Sequence, residues 1–160
     1  LYATIHSSQQ ILTGKQMSKC TIKSIAKGAT NPNETKDCTV RAFANATGMH
    51  YKDAHALLKK VGRKEKEGVS LHVVLNAFED IAIKPVYISS NTKDGRYLCR
   101  YYGWINPNQG MSLGKAVKTF TKGKYIALVN CHVVALVDGH LIDIFDNPGK
   151  QYLRALFKVQ

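Results

Sequence analysis

Three residues of this chain, Cys38, His132 and Asp143, have types and settings that suit nucleophilic chemistry. Cys38 follows Asp37 at the expected start of a short helix that stops at Gly48. Asp37 suits the N-cap, where its side-chain oxygen would accept a first-turn amide, and Gly48 suits the left-handed stop. A cysteine at such a place sits by free helix amides and the positive end of the macrodipole, both of which favour the thiolate. His132 and Asp143 fall on two strands joined by Asp138-Gly139, a pair suited to the tightest hairpin turn. That turn sets Val137 opposite His140, Ala135 opposite Ile142, Val134 opposite Asp143 and His132 opposite Phe145. Because side chains alternate faces, His132 and Asp143 share one face on a diagonal, while Asp146 points to the other. A carboxylate in that position can hold the tautomer of an imidazole and stabilise its charged form. Taken singly, a helical cysteine is often a small apolar filler and a strand histidine often a hydrogen-bonded structural residue. Asp143, however, lies among Leu141, Ile142, Ile144 and Phe145, and a buried acid needs a partner. The spacing therefore predicts a nucleophile, a base and an orienting acid.

The elements that must position these residues follow from periodicity. Residues 1–30 form an arm of mixed composition, with a loose alternation over 17–25 that fits an edge strand. Asn31-Pro32-Asn33 opens a loop that delivers the chain to the Cys38 helix. A second helix is expected over 51–61, with Ala54, Leu57, Leu58 and Val61 on one face and Gly62 after it. The run 63–68 reads as charged and solvated. Ser70 caps a third helix to about residue 80, with Leu71, Val74, Leu75 and Phe78 as its apolar stripe. Residues 83–89 read as a strand near an edge and 96–102 as another strand. Ser112 caps a short helix that ends before Gly123. Strands are then expected over 124–130, 132–137 and 140–145, with a last strand over 152–159. Helices first and an antiparallel sheet afterwards make an α+β arrangement in one domain.

Composition limits the partners. The 160 residues carry 23 Lys and Arg against 11 Asp and Glu, a net charge of +12, which favours acidic partners such as nucleic acid or an acidic protein. Lys59, Lys60, Arg63, Lys64 and Lys66 form a basic cluster. Arg96, Tyr97, Arg100, Tyr101, Tyr102 and Trp104 interleave charge with aromatics, a mixture that can bind single strands but also suits solvated faces and half-buried sheet aromatics. Trp104 is alternatively a candidate for lining a substrate cleft. Cys20, Cys38, Cys99 and Cys131 show no CxxC spacing, so free thiols in a reducing compartment are expected rather than a zinc or disulfide scaffold. Cys131 should point away from His132 into the core. His50, His55 and His72 lack cysteines or acids at ligand spacing, so no metal and no cofactor are implied. No apolar run has the length of a membrane span, and the first residues lack the layout of a signal peptide.

Asp37-Cys38-Thr39-Val40-Arg41-Ala42, Cys131-His132-Val133-Val134-Ala135, Asp138-Gly139 and Asp143 together resemble the papain-fold, C39-like cysteine peptidase-like proteins of bacteriophages and bacteria. The resemblance spans residues 30 to 146. It implies Cys38 as nucleophile, His132 as base and Asp143 as orienting acid, in a cleft between a helical lobe and an antiparallel lobe. It also implies a protein or peptide substrate and, for a phage protein, a bacterial cytoplasm. Related peptidases carry a Gln six residues ahead of the cysteine to help form the oxyanion hole; Pro32 stands there, leaving Asn33 or Asn31 to supply an amide. Asp146 is the reserve acid, since the family sometimes ends this hairpin in Asp-Pro. On the same scaffold, a catalytically inactive protein whose basic surface engages nucleic acid or an acidic host protein is the alternative.

Overall fold

The computed structural model describes residues 21–23, 34, 36–105, 110–143 and 151–159. In chain order it has β1 (Thr21–Lys23), α1 (Cys38–Thr47), α2 (Tyr51–Lys60), α3 (Leu71–Asp80), β2 (Lys84–Ile88), α4 (Lys93–Tyr101), β3 (Met111–Ser112) and α5 (Leu113–Thr119). The strands β4 (Lys124–Val129), β5 (His132–Val137), β6 (His140–Asp143), β7 (Tyr152–Leu153) and β8 (Ala155–Val159) follow. The chain is α+β, with its helices concentrated in the amino-terminal half and its strands in the carboxy-terminal half. Among the described residues the main sheet runs β1-β6-β5-β4-β8-β2, and β3 pairs with β7 in a small second sheet. Every pairing in the main sheet is antiparallel except β1 with β6, which is parallel.

Local signals account for most of these boundaries. α1 ends where Gly48 takes φ 77° and its N–H bonds the Ala44 carbonyl. Ser70 Oγ accepts from the Val73 amide and Ser112 Oγ from that of Lys115, so α3 and α5 begin at caps visible in the sequence. Asp138 (φ 47°) and Gly139 (φ 77°) form the expected left-handed turn. Its register is also as expected, with Val137 opposite His140 and Ala135 opposite Ile142.

The central strands are apolar on both faces because both faces are covered. On one side α1, α2 and α3 bury Phe43, Leu58, Leu75 and Phe78 against Ile126, Leu128, Ala135 and Phe157. Phe78 lies between Phe43 and Phe157, with ring centroids 5.3 Å and 4.1 Å away. On the other side Leu113 and Ala116 of α5 pack with Ala127, Val129, Val134, Leu136 and Leu141.

Two expectations fail here. Residues 96–102 are not a strand but most of α4. Thr92 Oγ1 accepts from the Gly95 amide to start the helix, and Tyr97 and Tyr101 pair four residues apart. Their aromatic character suggests a strand, but Arg96, Tyr97, Arg100 and Tyr101 fall on one exposed helical face. Gly95 is required at the start, because a Cβ there would meet the Ser89 carbonyl oxygen at 1.6 Å. The last strand is also divided. Residues 152–153 join the small sheet, and only 155–159 enter the main one, between β4 and β2.

Candidate active site

α1 presents Cys38 as its first residue, and the approach to it is anchored by two buried acids. Asp37 is 2% exposed but makes no side-chain cap, which corrects the capping role read from its position. Its carboxylate instead accepts from Arg41 Nε at 3.0 Å and from the Tyr51 hydroxyl at 2.8 Å, bonds that tie the start of α1 to α2. Burial and then the adjacent Asp37 carboxylate raise the Tyr51 phenol, keeping it a donor. Four residues ahead of Cys38, Glu34 forms a buried ion pair with Arg63 Nη2 at 3.1 Å and accepts from the Lys66 amide at 3.3 Å. Arg63 therefore leaves the solvated basic run expected of residues 63–68. It is 4% exposed and also reaches His55 Nε2 at 3.0 Å.

His132 is the first residue of β5, and Asp143 lies at the end of the described part of β6. His132 Nε2 and Asp143 Oδ2 are hydrogen-bonded. It is Nε2 of the ring that faces the carboxylate, and a carboxylate oxygen accepts from a ring N–H there. The Cys38 side chain hydrogen-bonds that of His132, and the Val133 N–H also bonds the Cys38 sulfur. Thr39 Oγ1 is 4.0 Å from the sulfur. The structure thus brings Cys38, His132 and Asp143 into one line of contacts. The line closes at the end of the sheet rather than across a face. The inner residues in step with His132 and Asp143, namely Val134, Leu136 and Leu141, turn toward α5, while α1 packs on the opposite side.

The electrostatics favour an ion pair. For Cys38, burial raises the thiol pKa, but the hydrogen bonds from His132 and the Val133 amide outweigh it and leave the value lowered. For His132, burial opposes the charge, but hydrogen bonds to Asp143 and Cys38 outweigh it and raise the imidazolium to about 10. The two shifts describe one event, transfer of the thiol proton to the ring, and so belong to the pair. A thiolate beside an imidazolium supplies a nucleophile and a proton donor.

The pair opens onto a cavity of about 360 Å³. Its apolar wall comes from Val69, Leu71 and Val74 on one side and from Leu128 and Val133 on the other. Arg154 and Asp94, which form an ion pair, also line it, and Arg154 bonds Asn130 Oδ1 as well. Neither residue figured among the expected site residues. The signal for Arg154 was present, as a charge set among the apolar residues 153–157.

Cys131 is another correction. It is exposed in the turn between β4 and β5, with φ 53°, and it lines the cavity instead of entering the core. Strand alternation does not apply to it because it lies outside the strand. Trp104 packs against the helical core and is not among the residues that line this cavity. Asn31, Pro32, Asn33 and Asp146 lie outside the described residues, as does Phe145.

Among the described residues, no helix is long and apolar enough to cross a membrane, and no three His, Cys, Asp or Glu gather as metal ligands. In comparisons with protein families, curated proteins and solved structures, nothing matches the chain significantly.

Proposed function

We propose that this protein is a cysteine-dependent hydrolase of amide bonds, a peptidase or isopeptidase of the papain-fold, C39-like type, acting in a bacterial cytoplasm as a phage-encoded protein. The observation that carries the proposal is the hydrogen-bonded succession Cys38, His132, Asp143 at the wall of a cavity. The Cys38 thiolate attacks a carbonyl carbon, and the carbonyl π pair moves to oxygen. Backbone amides at the start of α1, beside Cys38, would bond that oxygen, and Asn31 or Asn33 would add a side-chain amide. Collapse expels the amine, which takes its proton from His132, and leaves a thioester on Cys38. His132 then removes a proton from water, which attacks the thioester, releasing the acid and restoring the thiolate. Asp143 keeps Nε2 protonated and the ring aligned throughout.

Labelling with a thiol-reactive peptide-like probe, read by peptide mass spectrometry, tests this. Cys38 should react well below pH 8 and far faster than Cys99. Reaction no faster than that of free cysteine, with the biological effect intact in Cys38→Ala, rules the enzyme out.

The exposed face of α4 favours the second reading, a binding protein. Arg96, Tyr97, Arg100 and Tyr101 lie there on a chain of net charge +12, and such faces can hold single-stranded nucleic acid through phosphate contacts and stacking. That reading expects a shift of DNA or RNA that weakens steeply with salt and survives Cys38→Ala.

A further inference from the structure

Cys38 and Cys131 line the same cavity. Cys131 sits at the turn that leads straight into His132 and Val133, whose ring and backbone N–H hold the Cys38 sulfur. Its thiol is exposed, with a contact of 3.6 Å to Asn130 Oδ1, whereas Cys99 is half-buried on α4 against the helical core. Nor is a cysteine explained by the turn itself, since φ 53° favours Gly or Asn there.

We infer that Cys131 is a resolving thiol, which captures peroxide-oxidised Cys38 as an intramolecular disulfide and so closes the site reversibly. The inference rests on Cys38 being the nucleophile of the proposed function. In the first step the Cys38 sulfur attacks one oxygen of a peroxide, the O–O bond breaks, and the departing oxygen leaves as water with the proton held by His132. Cys38 is then a sulfenic acid, oxidised by two electrons. Next the Cys131 sulfur attacks the sulfenic sulfur, an S–S bond forms, the S–O bond breaks, and hydroxide leaves as water with the Cys131 proton. Two thiols and one hydrogen peroxide thus give one disulfide and two waters. Capture at this stage keeps Cys38 from the irreversible sulfinic acid, and a cellular dithiol can reopen the site. The bridge requires the two α-carbons to lie within about 7 Å of each other.

The test treats the full reduced chain with hydrogen peroxide in the presence of dimedone, which traps sulfenic acids, and maps the peptides by mass spectrometry. The wild type should yield the Cys38–Cys131 disulfide peptide with little dimedone adduct, and dithiothreitol should restore iodoacetamide labelling of Cys38. Cys131→Ser and Cys131→Ala should instead accumulate the adduct at Cys38 and, with excess peroxide, a sulfinic acid that dithiothreitol does not reverse. Equal adduct in wild type and both variants, or a bridge from Cys38 to Cys99 or Cys20, overturns the inference while leaving Cys38 a nucleophile. Separately, if iodoacetamide without peroxide labels Cys38 no faster than free cysteine, the nucleophile reading fails, and this inference with it.

Discussion

Asp143→Asn is the sharpest perturbation of the site, because it removes a charge while keeping size and an oxygen acceptor. The carboxylate supplies the strongest influence raising the His132 imidazolium to about 10. Hydrogen bonds to charged groups contribute about 1.5–3 kcal/mol against about 0.5–1.5 for neutral pairs, so the change removes about 1–2 kcal/mol of preference for the charged ring. At 1.36 kcal/mol per pKa unit, that amounts to about one unit. The equilibrium between thiolate–imidazolium and thiol–imidazole then moves by about tenfold toward the neutral pair. Site-resolved alkylation of Cys38 by iodoacetamide, followed as rate against pH, reads this directly. Wild type should show a plateau of reactivity through neutral pH. In Asp143→Asn the plateau should shorten by about one unit at its alkaline end and drop in height by up to about tenfold. Superimposable profiles would refute the assignment of Asp143. So would a wild-type rate that rises only near the free-cysteine value of about 8.5.

The same pair predicts an alkaline loss of stability. His132 is raised from 6.5 to about 10, so its stabilisation is complete below 6.5 and is lost as pH rises to about 10. Cys38 is lowered from 9.0, so its stabilisation is present above 9.0 and is lost as pH falls through its folded value. The two slopes oppose each other only between the folded value of Cys38 and pH 9.0, whereas from pH 9.0 to about 10 the His132 loss is unopposed, so the thermal midpoint should fall across that last interval, and less in His132→Gln. Arg63→Ala strands the buried Glu34 carboxylate and should cost about 3–5 kcal/mol in urea denaturation, with Glu34→Gln in the same chain recovering part of the loss. Tyr51→Phe deletes one donor to Asp37 and should cost about 1–3 kcal/mol, again by denaturation, with Cys38 still reactive if the Arg41 contact holds α1 in place. Phe78→Ala empties the middle of the Phe43, Phe78 and Phe157 stack and should cost about 3–5 kcal/mol in the same assay.

The parts of the fold legible in the sequence are those set by short-range rules. Ser70, Ser112, Gly48 and Asp138-Gly139 act on neighbours a few residues away, so their elements and the hairpin register could be read directly. Hairpin geometry also placed the His132–Asp143 contact, because a tight turn fixes pairing over its whole length. What escaped depends on distant partners. Asp37 has the right type for a cap, but Tyr51 and Arg41 compete for its carboxylate. Arg63 looks solvated until Glu34 arrives from an earlier loop to pair with it. For α4, the tyrosines suggest a strand, and only the Thr92 cap together with the charges at Arg96 and Arg100 marks the helical period. The placing of β8 between β4 and β2 has no local signature, since strand order is decided by packing and not by adjacency in the chain.

That placing of β8 bears on how the protein is made. β8 is the last described strand to leave the ribosome, yet it occupies an interior slot of the sheet. Until it inserts, β2 lacks its partner, β4 has one open side, and Arg154, whose amide bonds the Leu128 carbonyl at 2.8 Å, is missing from the cavity wall. A nascent chain can therefore display Cys38, His132 and Asp143 before their surroundings are built. The order of synthesis therefore delays the finished cavity wall until translation has passed residue 159.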